Sequence, residues 1–100
     1  MKILLTCNAG MSTSLMVEKM KEAAETKGLE AFIKAEAVDV FEDVVEDYDV
    51  VLLGPQIRYK ENEFKKIAGE YGIPVAVIDS AAYGLVNGAK VLEQALEMVK

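Results

Sequence analysis

The sequence predicts an α/β fold: a four-stranded parallel sheet in the order 2-1-3-4, flanked by helices on both faces. Three observations predict it. Short apolar runs recur along the chain. Residues at helical spacing fill the intervals between them. Glycine and proline punctuate the junctions, at Gly28, Gly54-Pro55, Gly72 and Pro74. Strands that alternate with helices in this way lie parallel, because each crossover helix carries the chain back to the same end of the sheet.

Lys2-Ile3-Leu4-Leu5-Thr6 opens the chain as an apolar run, the pattern of a buried strand. Met16, Met20, Ala23, Ala24 and Lys27 then recur at helical spacing, and Gly28 supplies a stop. Residues 32–37 set Ile33, Ala35 and Ala37 against Lys34 and Glu36, which predicts an edge strand with one wet face. Val40, Phe41, Val44, Val45 and Tyr48 mark a short amphipathic helix. Val50-Val51-Leu52-Leu53 is a second fully apolar strand, closed by Gly54-Pro55. Phe64, Ile67, Ala68 and Tyr71 give a third helix, ending near Gly72 and Pro74. Val75-Ala76-Val77-Ile78 is the fourth strand, and Leu85, Ala89, Leu92, Leu96 and Val99 stripe the last helix. In this flavodoxin-like order the first and third strands are central, which matches their continuous apolar character. The switch point lies between their carboxyl ends, where ligands bind in such sheets. Residues 7–14 and 54–59 meet there.

One hundred residues with 52% apolar content suffice for one compact core, so residues 1–100 are expected to form a single domain. The net charge of −6 argues against nucleic acid and anionic membranes as partners. No apolar run approaches the length of a membrane span, so direct membrane insertion is not expected. The opening run stops at Thr6-Cys7-Asn8, too early for a signal peptide, which predicts a cytoplasmic protein. A dense acidic group (Glu36, Asp39, Glu42, Asp43, Glu46, Asp47 and Asp49) reads as the solvated face of the second helix, with no calcium-loop spacing. No metal site or cofactor is expected.

One cysteine cannot form an internal disulfide, so Cys7 is either a small buried side chain or a reactive thiol. Histidine is absent, which removes Cys-His and Ser-His-Asp arrangements. A nucleophile here must be activated by backbone dipoles or a positive neighbour. Cys7-Asn8-Ala9-Gly10-Met11-Ser12-Thr13-Ser14 offers such dipoles. Gly10 permits positive φ or close approach of the backbone to a ligand. Successive amides can form an anion nest, and the following helix adds its positive end. Ser12, Thr13 and Ser14 can cap that helix or donate to phosphate oxygens. A thiol in this field favours the thiolate, and the same amides would stabilise a phosphate placed on it. The bland alternative stays open: a buried cysteine followed by an ordinary N-cap.

Walker A and the dinucleotide-binding glycine pattern are both absent. A cysteine opening a loop after the first strand also suggests a low-molecular-weight cysteine phosphatase, whose fold is similar. That reading needs C-x5-R, and Thr13 stands where the arginine should be.

Taken whole, the chain resembles the lactose/cellobiose-type IIB proteins of the bacterial sugar phosphotransferase system. The resemblance rests on Ile3-Leu4-Leu5, on residues 7–14, on Val51-Leu52-Leu53-Gly54-Pro55-Gln56 with Arg58-Tyr59, and on Asp79-Ser80 through Tyr83-Gly84. It implies that Cys7 accepts phosphate from a phosphohistidine on a IIA partner. It implies transfer onward to a β-linked sugar, of the cellobiose, lactose or chitobiose class, held by the IIC membrane transporter. Asn8, Ala9, Gly10, Met11, Ser12, Thr13 and Ser14 would bind the phosphate. Met11 is placed to form an apolar rim for a docking partner.

Gln56, Arg58 and Tyr59 are candidates for the second loop. Gln56 donates to phosphate or caps its own loop. Arg58 attracts the phosphate, contacts a partner, or is a solvated charge. Asp79 is expected as an N-cap rather than a general acid, and Tyr83 faces the site or packs under the last helix.

Overall fold

The structure is a computed structural model that describes residues 1–7 and 11–99, with the side chains of Met11 and Ser12 outside the description. The elements run β1 (Lys2–Cys7), α1 (Met11–Thr26), β2 (Phe32–Ala37), α2 (Phe41–Val44), β3 (Val50–Leu53), α3 (Glu61–Gly69), β4 (Val75–Val77), α4 (Ser80–Gly84) and α5 (Gly88–Met98). All ladders are parallel and the strand order is β2-β1-β3-β4, as the alternating pattern predicts. Ile3, Leu4, Leu5 and all four residues of β3 are fully buried, because these central strands are covered on both faces.

Side chains alternate across the sheet and define two cores. Ile3, Leu5, Ile33, Val50 and Leu52 pack with Met16, Val17 and Met20 of α1 and with Val91, Leu92 and Ala95 of α5. Leu4, Val51 and Leu53 pack on the opposite side with Phe41, Val45, Ile57, Phe64 and Ala68. There the rings of Phe41 and Phe64 stack with centroids 3.9 Å apart. Gly88 lets α5 lie directly on α1: a Cβ at that position would stand 2.3 Å from the carbonyl carbon of Lys19. Among the described residues no helix is long and apolar enough to cross a membrane.

Several elements differ from the sequence expectation. β1 extends one residue further, so Cys7 ends the strand rather than opening a turn. The expected second helix is broken into a 3-10 turn at Val38–Val40, the four residues of α2, and a 3-10 turn at Val45–Asp47. Phe41, Val45 and Tyr48 are buried there, while Val40 is exposed. Like charges three and four residues apart, such as Asp39 with Glu42 and Asp43, disfavour a longer regular helix. Residues 55–60, expected as loop, form a 3-10 segment, Pro55–Lys60. β4 stops at Val77, although Ile78 stays buried.

The last helix is two helices. Asp79 caps α4 by accepting from the Ala82 amide at 2.9 Å, and Asn87 caps α5 by accepting from the Lys90 amide at 3.1 Å. Between them Val86 has φ of 51°, a conformation costly for a β-branched residue. The break turns Leu85 outward, to 78% exposure, and leaves Ala89 exposed. Lys27 and Tyr71, placed on buried stripes by periodicity, are also exposed. Lys27 lies one residue beyond α1 and Tyr71 two residues beyond α3, where the stripe has left the sheet.

Candidate functional site

Cys7 pairs with Ala37 across the β1–β2 ladder and is 2% exposed. On its other side the Gly54 amide donates to the Thr6 carbonyl at 2.9 Å, which draws the ends of β1 and β3 together. A Cβ on Gly54 would lie 3.3 Å from the Cys7 Cβ and 2.8 Å from Gln56 Oε1. Gly54 therefore brings the 55–60 segment against the cysteine without an intervening side chain. Its role is close approach, since its own φ of −61° suits any residue.

The α1 helix begins four residues after Cys7 and runs for 16 residues. Thr13, in its first turn, is fully buried. The Cys7 Sγ and Thr13 Oγ1 lie 3.4 Å apart, a buried hydrogen bond in which either atom can donate. The thiol thus sits at the amino end of a long helix, where amides lack intrahelical acceptors and the dipole favours anions. Ser14 is exposed. The candidate phosphate-loop residues Asn8, Ala9 and Gly10 lie outside the described residues, as do the side chains of Met11 and Ser12.

The second-loop candidates separate. Gln56 Nε2 donates to the Tyr83 hydroxyl at 3.1 Å, so this amide bridges the Gly54 corner and α4. The body of Tyr83 packs on the α1–α5 core while its hydroxyl accepts from Gln56. Arg58 Nη2 donates to Ser80 Oγ at 3.1 Å and its Nε to the Pro55 carbonyl at 3.4 Å. Those bonds tie the guanidinium to the β4–α4 junction, beside a groove of about 300 Å³ shared with Glu61, Val77, Ile78, Asp79 and Ser80. Tyr59 is 70% exposed, with Lys60 Nζ 6.0 Å from its ring centre. Asp79 is an N-cap, as expected, and its own amide donates to Gln94 Oε1.

Two features at the site escaped the sequence reading. The contact of Gly54 with Cys7 requires the strand register, which no local pattern reveals. Thr6 is fully buried and its Oγ1 has no hydrogen-bond partner among the described residues. A hydroxyl inside an apolar run was the available signal. A larger groove, about 730 Å³ and lined by Lys27, Asp79, Lys90, Glu93, Gln94, Leu96 and Glu97, does not include Cys7. Chemistry rather than size singles out the candidate site, because a thiolate is the strongest nucleophile these side chains could offer. Burial and nearby Glu36 push the Tyr48 phenol up. Its ring neighbours Phe32, which pairs with Lys2 at the opposite end of β1 from Cys7.

Residues 2–94 match the family model for the lactose/cellobiose-specific IIB subunit of the phosphotransferase system. The chain belongs to that family. It is 48% identical to the oligo-beta-mannoside-specific EIIB component of Bacillus subtilis, over 98% of this chain and 95% of that one. A solved cellobiose-specific IIB component from Borrelia burgdorferi shares 41% identity with a TM-score of 0.81, covering 99% of this chain and 91% of that one. The lactose-specific IIB domain of Streptococcus pneumoniae shares the fold at a TM-score of 0.91 and 22% identity, covering 100% and 98% of the two chains. IIB components act as phosphotransferases in sugar uptake and work with IIA and IIC partners. In some relatives IIC and IIB share one chain. The lactose-specific EIICB component of Staphylococcus epidermidis matches 98% of this IIB chain within 16% of its own length, at 26% identity.

Proposed function

We propose that Cys7 carries the phosphoryl group, accepting it from a phosphohistidine on IIA and passing it to a sugar bound by IIC. The observation that carries this reading is the sulfur at the amino end of α1, 3.4 Å from Thr13 Oγ1, at the carboxyl end of a central strand. There the helix favours a thiolate and the anion it becomes.

In the first transfer the thiolate attacks phosphorus and the S–P bond forms. The P–N bond breaks, and its electron pair stays on the imidazole nitrogen. In the second, a sugar hydroxyl oxygen attacks phosphorus and the S–P bond breaks, returning its pair to sulfur. The hydroxyl proton passes to a base in the IIC complex. Asn8, Ala9, Gly10, Met11, Ser12, Thr13 and Ser14 supply the amides and hydroxyls that hold the phosphate between transfers, and Gln56 flanks them from the 55–60 segment. Arg58 and Tyr59 contact the partners. Residues 1–100 act as one cytoplasmic phosphocarrier domain, and no cofactor takes part. The sugar is β-linked, of the cellobiose, lactose or chitobiose class, a linkage also present in the name of the B. subtilis relative. Hydrolysis is disfavoured because Thr13 occupies the place of a phosphatase arginine, leaving no side-chain clamp there for transfer to water.

Intact-mass analysis after incubation with phosphorylated IIA tests the reading. One phosphoryl group should be gained and should map to Cys7. Cys7→Ser should fold, since oxygen replaces sulfur in an otherwise unchanged side chain, and should gain none. Phosphate acquired by Cys7→Ser would sink the proposal.

A further inference from the structure

We infer that Thr13 is the positioning residue for the Cys7 nucleophile, holding the sulfur at the start of α1 and favouring its thiolate form. This rests on the reading of Cys7 as the phosphoryl carrier. Two rigid elements fix the pair. Cys7 is held by the β1 ladders and Thr13 by the first turn of α1, so their 3.4 Å separation is set by the packing of strand on helix. Thr13 is fully buried, and its branched side chain has few rotamers available in a helix. In the observed rotamer its hydroxyl lies 3.4 Å from the sulfur.

The contact discriminates between protonation states. Beside a neutral thiol, either atom can donate. Once the proton leaves, sulfur only accepts and the hydroxyl donates to an anion, a stronger bond than the neutral one. A hydrogen bond to the charged form favours that form. The same donor serves both transfers. It supports the thiolate that attacks, and it meets the electron pair returning to sulfur when the S–P bond breaks. A better-stabilised thiolate is also a better leaving group.

Charged groups on the neighbouring elements are engaged elsewhere or set further along. Glu36 alternates with Ala37 to the other sheet face and pairs with Lys34 at 3.3 Å. Asp39 is exposed, the first charge on α1 is Glu18, Arg58 is bonded to Pro55 and Ser80, and Lys60 pairs with Glu63.

The test is the titration of Cys7 in the full chain, followed by thiolate absorbance and by the rate of iodoacetamide alkylation against pH. Thr13→Val keeps the shape and removes the hydroxyl. Its thiol midpoint should move upward, and alkylation at neutral pH should slow about tenfold. Thr13→Ser should restore the wild-type profile, which a purely packing role would not require. Thr13→Ala removes the hydroxyl without adding bulk, and serves if the valine variant does not fold. A wild-type midpoint in either hydroxyl-free variant overturns the role of Thr13. The titration uses no phosphate donor, so it is independent of the mass mapping. Phosphate mapped away from Cys7 would overturn the reading beneath the proposal.

Discussion

Gly88→Ala should destabilise the fold, although glycine to alanine ordinarily stabilises a helix. The added Cβ would stand 2.3 Å from the Lys19 carbonyl carbon and 2.6 Å from both the Lys19 carbonyl oxygen and Cβ. Two of those atoms are backbone, so no side-chain rotation relieves the clash. The amino end of α5 must lift from α1 by about 1 Å to reach ordinary contact. That lift loosens the packing of Val91, Leu92 and Ala95 against Met16, Val17 and Met20. Overpacking of this kind costs about 1–3 kcal/mol, and backbone atoms on the receiving side put it at the upper end. The gain from a less flexible unfolded chain offsets about 0.4–1 kcal/mol. The net is a loss of about 2 kcal/mol, or a Tm lower by about 8–16 °C for a chain of this size. Thermal unfolding followed by far-UV circular dichroism measures it. A variant melting with the wild type, or above it, would refute the contact and with it the backbone packing of α5 on α1.

Gly54→Ala should separate stability from activity. Its φ of −61° and ψ of 146° suit alanine, but the new Cβ displaces Gln56 from Tyr83 and presses on Cys7. Denaturant curves should agree within about 1 kcal/mol, while rapid-quench transfer from phosphorylated IIA slows about tenfold; equal transfer rates would contradict the placing of Gly54 against the nucleophile. Thr6→Val replaces a buried, unbonded hydroxyl by a methyl of similar shape and should raise stability by about 1 kcal/mol. Chemical denaturation checks this, and a loss instead would mean that the hydroxyl is satisfied in solution. Once phosphorylated and separated from IIA, the domain should keep its label far longer than one transfer cycle, because Thr13 replaces the phosphatase arginine. Decay followed at neutral pH by intact mass decides it, and rapid spontaneous loss would favour a phosphatase.

The strand order was legible because β1 and β3 are unbroken apolar runs, and only central strands need to be. Of the candidate loop, the strand end near Cys7 and the helix start near Met11 were legible from the apolar run and the helical spacing beyond it, while residues 8–10 lie outside the described residues. Periodicity failed where local chemistry competes with it. Asp79 and Asn87 each cap a helix within one apparent helical stretch, so α4 and α5 separate and the true buried face becomes Val91, Leu92 and Ala95. Residues 38–47 kept the right buried positions at Phe41 and Val45 but not the regular helix. Which partner each site residue takes could not be read at all. The pairs Cys7–Thr13, Gln56–Tyr83 and Arg58–Ser80 join separate elements, and only the folded sheet brings those elements into reach.

The central position of β1 has a consequence for how the chain is made. The strand precedes its ladder partners in the chain, which begin at Phe32 on one edge and Val50 on the other. One edge can pair once residues 32–37 are made, but the other stays open until residues 50–53 follow, and non-local pairing of this kind forms slowly. Until then the sulfur at the end of β1 lacks its neighbours Ala37 and Gly54. The setting of Cys7 is therefore complete only when both edges of the sheet have closed.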